Sequence, residues 1–220
     1  MQAFSGKREK IDLDTWERRA LFQLFQSFSE PYHGVCVRVD CTETYLYAKK
    51  HQLSMFLSLL HRSLAAAQRV DNFRTRIEDG EVWRYKHIHS GSAVGRENGT
   101  IGFAHYRYNE DLHTFVSEAS VQIERVQGRT DLERYPGVDL IRYSVLPWFD
   151  FTSLSHARDF ARGDSAPLIT FGKITEAGGR RMMPVSIHVH HALVDGLHVA
   201  QFLDHFQNLL DIPGENSAQV

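Results

Sequence analysis

The sequence predicts an α+β fold, a mixed and mostly antiparallel β-sheet flanked by helices. Runs with apolar residues at every second position recur along the chain, at Gly34–Asp40, Phe73–Glu78, Val82–Lys86, Thr100–Tyr108 and Val185–His190. Runs with helical spacing are interspersed among them, and the turns Asp79-Gly80 and Ala177-Gly178-Gly179-Arg180 join strand runs directly, which requires antiparallel neighbours.

Taken in order, Asp14 and Glu17 have the spacing of a capping box, and Trp16, Ala20, Phe22, Phe25 and Phe28 continue it as a helix. Pro31 ends that segment, and Val35, Val37 and Val39 form the inward face of a strand. A short helix over Glu43–Lys50 follows, and Ser54 caps a longer one reaching Val70, with Phe56, Leu59, Leu60 and Leu64 on one face. The hairpin of Phe73–Glu78 and Val82–Lys86 comes next. Ser90–Asn98 is rich in Gly and Ser and reads as a loop or irregular edge. After the strand Thr100–Tyr108, Asn109, Glu110 and Asp111 open an amphipathic helix from Leu112 to Gln127. Gly128–Gly137 is a polar connection. Strand character resumes at Val138–Phe149, where Pro147 confines the end to an edge or bulge. Phe149–Asp164 is loop, Pro167–Ile174 a strand, and the tail after Pro213 is polar and frayed.

The 220 residues, 42% hydrophobic with a formal net charge of −2, are enough for a sizeable core, and the reading here is a single domain over residues 1–220. That charge balance argues against a nucleic-acid partner. Cys36 and Cys41 supply neither a disulfide framework nor a metal knuckle, and no apolar run has the length of a signal or membrane segment. A cytoplasmic location is the expectation.

Chemistry concentrates in Val185–His198, V-S-I-H-V-H-H-A-L-V-D-G-L-H. Val185, Ile187 and Val189 alternate with Ser186, His188 and His190, so a continued strand places His191 at the end of the apolar row, an address suited to a desolvated base. Helical spacing returns at Val199, Phe202, Leu203, Phe206 and Leu210. Asp195 can orient His191, cap this helix, or pair with a buried cation; spacing alone does not choose. His188 and His190 share a strand face, but no third zinc ligand is identifiable from spacing, and no metal is expected.

The string His190-His191-Ala192-Leu193-Val194-Asp195-Gly196 closely resembles the signature of the type A chloramphenicol acetyltransferases, and more loosely that of dihydrolipoamide acyltransferases. Trp16-Glu17-Arg18-Arg19 with Phe22, Ser144-Val145-Leu146-Pro147-Trp148 with Phe151-Thr152-Ser153, Pro167–Lys173 and the closing helix are similar to family segments in family order. The resemblance implies the acyltransferase fold, assembled as a homotrimer with active sites at subunit interfaces. It implies acetyl-CoA as co-substrate and chloramphenicol as acceptor, acetylated at its 3-hydroxyl in antibiotic resistance. In that picture His191 is the general base, Ser144 binds the oxyanion, Thr170 holds an ordered water, and Asp195 with Arg18 is a structural ion pair. The apolar face of the last strand is then expected near a subunit boundary. Phe25, Ile101, Phe103, Tyr135 and Leu154 are the expected acceptor walls. The chain departs from the family in having His188 for Gln, Leu197 for Phe or Tyr, and His156 and Arg158 at apolar pocket positions. These departures keep open another hydroxylated acceptor, or a non-catalytic binding protein on the same fold.

Overall fold

The computed structural model describes residues 3–4, 6–157 and 164–212. Its elements are β1 (Arg8–Lys10), α1 (Arg19–Gln26), β2 (Tyr32–Asp40), α2 (Thr42–Lys50), α3 (Met55–Gln68), a 3-10 turn (Asp71–Arg74), β3 (Thr75–Glu78), β4 (Glu81–Tyr85), β5 (His89–Gly95), β6 (Ile101–Tyr106), α4 (Leu112–Gln127), β7 (Leu140–Val145), β8 (Leu168–Phe171), β9 (Thr175–Ala177), β10 (Arg180–His190) and α5 (Gly196–Asp211). The large sheet has the order β2-β10-β8-β7-β5-β6, with β9 pairing β10; β1, β4 and β3 form a small sheet. β7 runs parallel to β5 and to β8, and the other pairs are antiparallel, so the sheet is mixed as predicted.

Local chemistry explains the elements that match. Asp79 at φ 51° and Gly80 at φ 81° occupy the two left-handed positions of the β3–β4 turn, and Gly178 and Gly179 do the same between β9 and β10. Ser54 accepts from the Leu57 amide and Asp111 from the Thr114 amide, closing the starts of α3 and α4.

Several expectations are corrected. No capping box forms at Asp14: Asp12 accepts from the amide of Asp14 in a tight turn, Asp14 pairs instead with Arg19, and α1 begins only at Arg19 and ends at Gln26. Ser90–Asn98 is not an edge, since β5 lies inside the sheet between β7 and β6. Its small residues are required there: a Cβ on Gly91 would lie 3.0 Å from the His105 ring, and Ser92 Oγ bonds the Tyr106 hydroxyl at 2.8 Å. Phe73 belongs to the 3-10 turn, β7 is shorter than Val138–Phe149, and Pro167–Ile174 contributes only Leu168–Phe171 to β8. The tail after Pro213 lies outside the described residues.

Register sorts the large sheet into two faces. The rows Val35-Ile187-Ile169-Tyr143 and Val37-Val185-Phe171-Val145 share one face, and Val185, Ile187 and Val189 are fully buried in the chain's own core. There Phe171 lies near Phe206 of α5, which neighbours Phe202, itself stacked on Phe73. The expectation that this apolar face meets a subunit boundary is therefore overturned: α2, α3 and α5 already supply the apolar surface that buries it. The opposite face carries the polar row Cys36-Ser186-Thr170-Ser144.

Arg76 ties the small sheet to the large one. Fully buried, it donates to the carbonyls of Phe73, Thr75, Val138 and Leu140 at 2.7–2.9 Å, and burial lowers its pKa to about 10.

Burial also lowers His61, His89 and His105 from 6.5 to about 4. Between those values the unfolded chain binds protons that the folded chain refuses, so stability falls as pH drops from about 6.5 to about 4. The urea midpoint is expected to decline through this window, with the three imidazole resonances of the folded protein titrating only near its lower end.

Candidate active site

The turn after β10 gathers residues from α1, β2 and α5. The strand ladder ends at His190, paired with Tyr32, and His191 is the first residue of the turn, its amide donating to the Pro31 carbonyl at 2.7 Å. The strand thus stops one residue short of His191, which never takes the position expected for it at the end of the apolar row. Its side chain is 32% exposed, open enough to meet a substrate. Phe25 of α1 stacks on the imidazole with ring centroids 3.8 Å apart and planes 8° from parallel, and His33 of β2 lies 4.4 Å away at 47°. A cation formed on His191 would sit over the negative face of the Phe25 ring, a favourable contact.

Asp195 precedes α5, and its carboxylate is bound by Arg18 from two nitrogens, one of them 2.5 Å from Oδ1. Arg18, 9% exposed, also donates to the carbonyls of Ala192 (2.9 Å) and His191 (2.6 Å). Of the three roles open to Asp195, two are realised: it pairs with the buried Arg18 cation, and with His198 it forms the capping box that starts α5. The hydrogen bond from Arg18 holds the Asp195 carboxyl below the usual carboxylate range. His191 Nδ1 lies 3.1 Å from Asp195 Oδ1 but out of line, and it makes no hydrogen bond with the described residues. Asp195 is therefore not arranged as the orienting member of a triad. His198 accepts from the Asp195 amide through Nδ1 at 2.9 Å, and burial, the main cause of its lowered pKa, keeps it neutral for that role.

Ser144 and Thr170 are cross-strand partners on β7 and β8, in the polar row. Thr170 is fully buried, and its hydroxyl lies 3.1 Å from His156 Nε2. His156 packs edge-on against His188 at 5.4 Å, and His188 Nε2 bonds the Leu154 carbonyl at 3.2 Å. Gly34 makes room for His188, because a Cβ there would come within 2.8 Å of the imidazole. His190, on the same side of β10, packs edge-on against Tyr32. Arg158 lies outside the described residues.

The structure thus brings together His191, Asp195, Arg18 and Phe25 in one group, and Ser144, Thr170, Leu154 and His156 in another. From the Ser186–Thr170 pairing to His191 the path along β10 is on the order of 15 Å. Ile101 and Phe103 are on the far edge strand β6, about 20 Å across the sheet from β10, with Ile101 exposed. Tyr135 donates to Asp139 at 2.8 Å and receives the Phe4 amide at 2.5 Å, buttressing the N-terminal segment. His33 and Asn72, whose side chain donates to the Leu193 carbonyl at 2.7 Å, were invisible to sequence reasoning: neither belongs to a motif, and their contacts with the turn are long-range.

A family model described as chloramphenicol acetyltransferase matches residues 7–207. The chain belongs to the chloramphenicol acetyltransferase family. Curated chloramphenicol acetyltransferases from Proteus mirabilis and Escherichia coli are 27% and 28% identical to it, each aligned over 91% of this chain and 94% and 93% of their own lengths. A solved chloramphenicol acetyltransferase superposes with a TM-score of 0.87 at 30% identity, covering 93% of this chain and all of the other. The Azotobacter vinelandii dihydrolipoamide acetyltransferase superposes at 0.63 with 19% identity, which shows a shared acyltransferase fold. Within the chloramphenicol acetyltransferase match fall the Arg18 helix, the Ser144 strand and the His191 turn.

Replacing Arg18 by Met should cost about 3 kcal/mol of stability by leaving Asp195 uncompensated, at the low end for such pairs because Asp195 is partly exposed. Arg18→Met with Asp195→Asn should recover part of that loss in urea unfolding. Since the carboxyl is depressed in the folded state, the pair's contribution is complete above the usual carboxylate range and is lost as pH falls through the lowered value.

Proposed function

We propose that this chain is a type A chloramphenicol O-acetyltransferase that moves an acetyl group from acetyl-CoA to the 3-hydroxyl of chloramphenicol. The family match over residues 7–207 carries this reading, and the imidazole of His191, open at the surface of a rigidly bonded turn, supports it. His191 accepts the proton of the acceptor hydroxyl as that oxygen attacks the thioester carbonyl carbon. Ser144 donates to the resulting oxyanion. Collapse of the tetrahedral species breaks the C–S bond, and the departing thiolate takes the proton back from the imidazolium, releasing CoA and the acetyl ester. Thr170, its hydroxyl held by His156, lies beside Ser144 to position water near the oxyanion. Asp195 and Arg18 fix the turn and exchange no proton.

His191 and Ser144 are too far apart within one chain to act on a single substrate, which supports a homotrimer in which one subunit's His191 faces its neighbour's Ser144 row. Large apolar side chains stand open beside both groups, Leu24, Phe28 and Leu197 near His191 and Trp148 and Phe149 after β7. In this reading Phe25, Leu154, Ile101, Phe103 and Tyr135 stand as acceptor walls drawn from two subunits. The free thiols of Cys36 and Cys41, close in sequence yet unbridged, fit a cytoplasmic site of action, where resistance to the antibiotic is exerted. Among the described residues no helix is long and apolar enough to cross a membrane.

A second reading keeps the chemistry and changes the acceptor to another small hydroxylated molecule. The His156 imidazole, bonded to Thr170 beside Ser144, is the observation that favours it.

Purified protein supplied with acetyl-CoA and chloramphenicol should release CoA thiol. No release with chloramphenicol, but release with another acceptor in a panel, would select the second reading. His191→Ala is expected to lower kcat by about 10²–10⁴ while leaving the fold intact, and Ser144→Ala by about 10²–10³. Light scattering should return the mass of a trimer; a monomer that turns over would end the shared-site account.

A further inference from the structure

The turn that carries His191 is bonded from outside in an unusual way. Its consecutive carbonyls, from His191 to Val194, each meet a side-chain nitrogen: His191 and Ala192 are bonded by Arg18, Leu193 by Asn72 at 2.7 Å, and Val194 by His33 Nε2 at 3.1 Å. A carbonyl can only accept, so His33 holds its proton on Nε2. Within the turn itself, the amides of Leu193 and Val194 both return to the His190 carbonyl.

The imidazole of His191 is placed differently from the backbone beneath it. Its Nδ1 makes no aligned hydrogen bond with the described residues, although Asp195 is 3.1 Å away, because the Asp195 carboxylate is directed to Arg18. With no hydrogen bond at Nδ1 to the described residues, packing contributes to setting the ring angle. Phe25 covers one face in parallel stacking and His33 lies obliquely at 4.4 Å. His33 therefore meets both parts of the problem, the ring by contact and the turn by its bond to Val194. Arg18, Asp195, Phe25 and His198 are the other groups gathered around the pair. A permanent cation at position 33 would oppose proton uptake by His191. Burial, the leading cause, lowers the pKa of His33 and favours the neutral ring that still donates through Nε2.

We propose that His33 is a positioning residue for His191, holding the turn through the Val194 carbonyl and restricting the imidazole by its own ring contact. The proposal rests on His191 being the base of the acetyl transfer. His33 touches neither substrate in this account.

The test compares His33→Gln, which keeps an N–H donor, with His33→Phe, which keeps a ring and loses the donor, and His33→Leu as a second donorless variant should the Phe variant not fold. Steady-state kinetics with acetyl-CoA and chloramphenicol are run beside hydrogen exchange at the amides of Leu193 and Val194. Misplacement of a reacting group by about 1 Å costs about a hundredfold, so a donorless variant should lose about tenfold to a hundredfold in kcat. KM for acetyl-CoA and the melting temperature should stay near wild type, and exchange at both amides should be faster. His33→Gln should restore slow exchange and most of kcat. Unchanged kcat in a folded donorless variant, or a Gln variant as impaired as the Phe variant, overturns the proposal. If wild-type protein does not acetylate chloramphenicol, or His191→Ala retains turnover, the functional reading fails instead. Exchange then decides the role of His33 separately, unaltered protection in the donorless variant overturning it and accelerated exchange rescued by Gln sustaining it.

Discussion

The guanidinium of Arg18 is the group on which the geometry of the site depends. It sits at the N-cap of α1, just before Arg19, yet its partners are the turn after β10 and the residue just before α5, so one planar cation fixes a helix, a turn and a second helix relative to one another. Removing such a group from water is costly, and the cost is offset only because it finds two backbone carbonyls as well as a carboxylate. The same arrangement explains why Asp195 is not free to orient the histidine. The Asp195 oxygens are aimed at Arg18, and the approach of His191 Nδ1, though only 3.1 Å away, is out of line with them. Precision at His191 is thereby transferred from a hydrogen bond to packed rings.

The large sheet separates two kinds of work by register alone. One face is filled by Val, Ile and Phe and buried under helices, while the other presents small polar residues in a single cross-strand row. Because alternate residues point to opposite faces, the strand that supplies the core with Val185 and Ile187 also supplies Ser186 and His188 to the polar side. Stability and chemistry thus share strands without sharing residues. The parallel neighbours β7 and β8 put Ser144 and Thr170 side by side, an adjacency that depends on tertiary pairing.

Much of this was legible before any coordinates. Asp79-Gly80, Ser54 and Asp111 announce their turn and helix starts because their chemistry is local, and each forms as read. The pairing of Arg18 with Asp195 was legible only through family resemblance, since nothing near either residue names the other. β5 was misread because Gly91 and Ser92 answer to close neighbours on β6, a tertiary demand that overrides their loop-like composition. The helix start at Asp14 failed because Asp12 takes the Asp14 amide, which a capping box would have given to Glu17. His33 and Asn72 could not be read at all: their partners are carbonyls, which leave no mark on the identity of the residues that carry them.

Gly34 and His188 carry a consequence for how this protein can change. The imidazole occupies the volume where any other residue at position 34 would put its first side-chain carbon, so the two positions cannot be altered independently. A larger residue at 34 becomes admissible only once the ring at 188 has moved or been replaced, and losing the ring also releases the Leu154 carbonyl that begins the segment leading to His156. Mutational routes that reshape the polar side of the sheet therefore have a preferred order, with position 188 changing first and position 34 following, and a library built to retune acceptor choice should vary the two together.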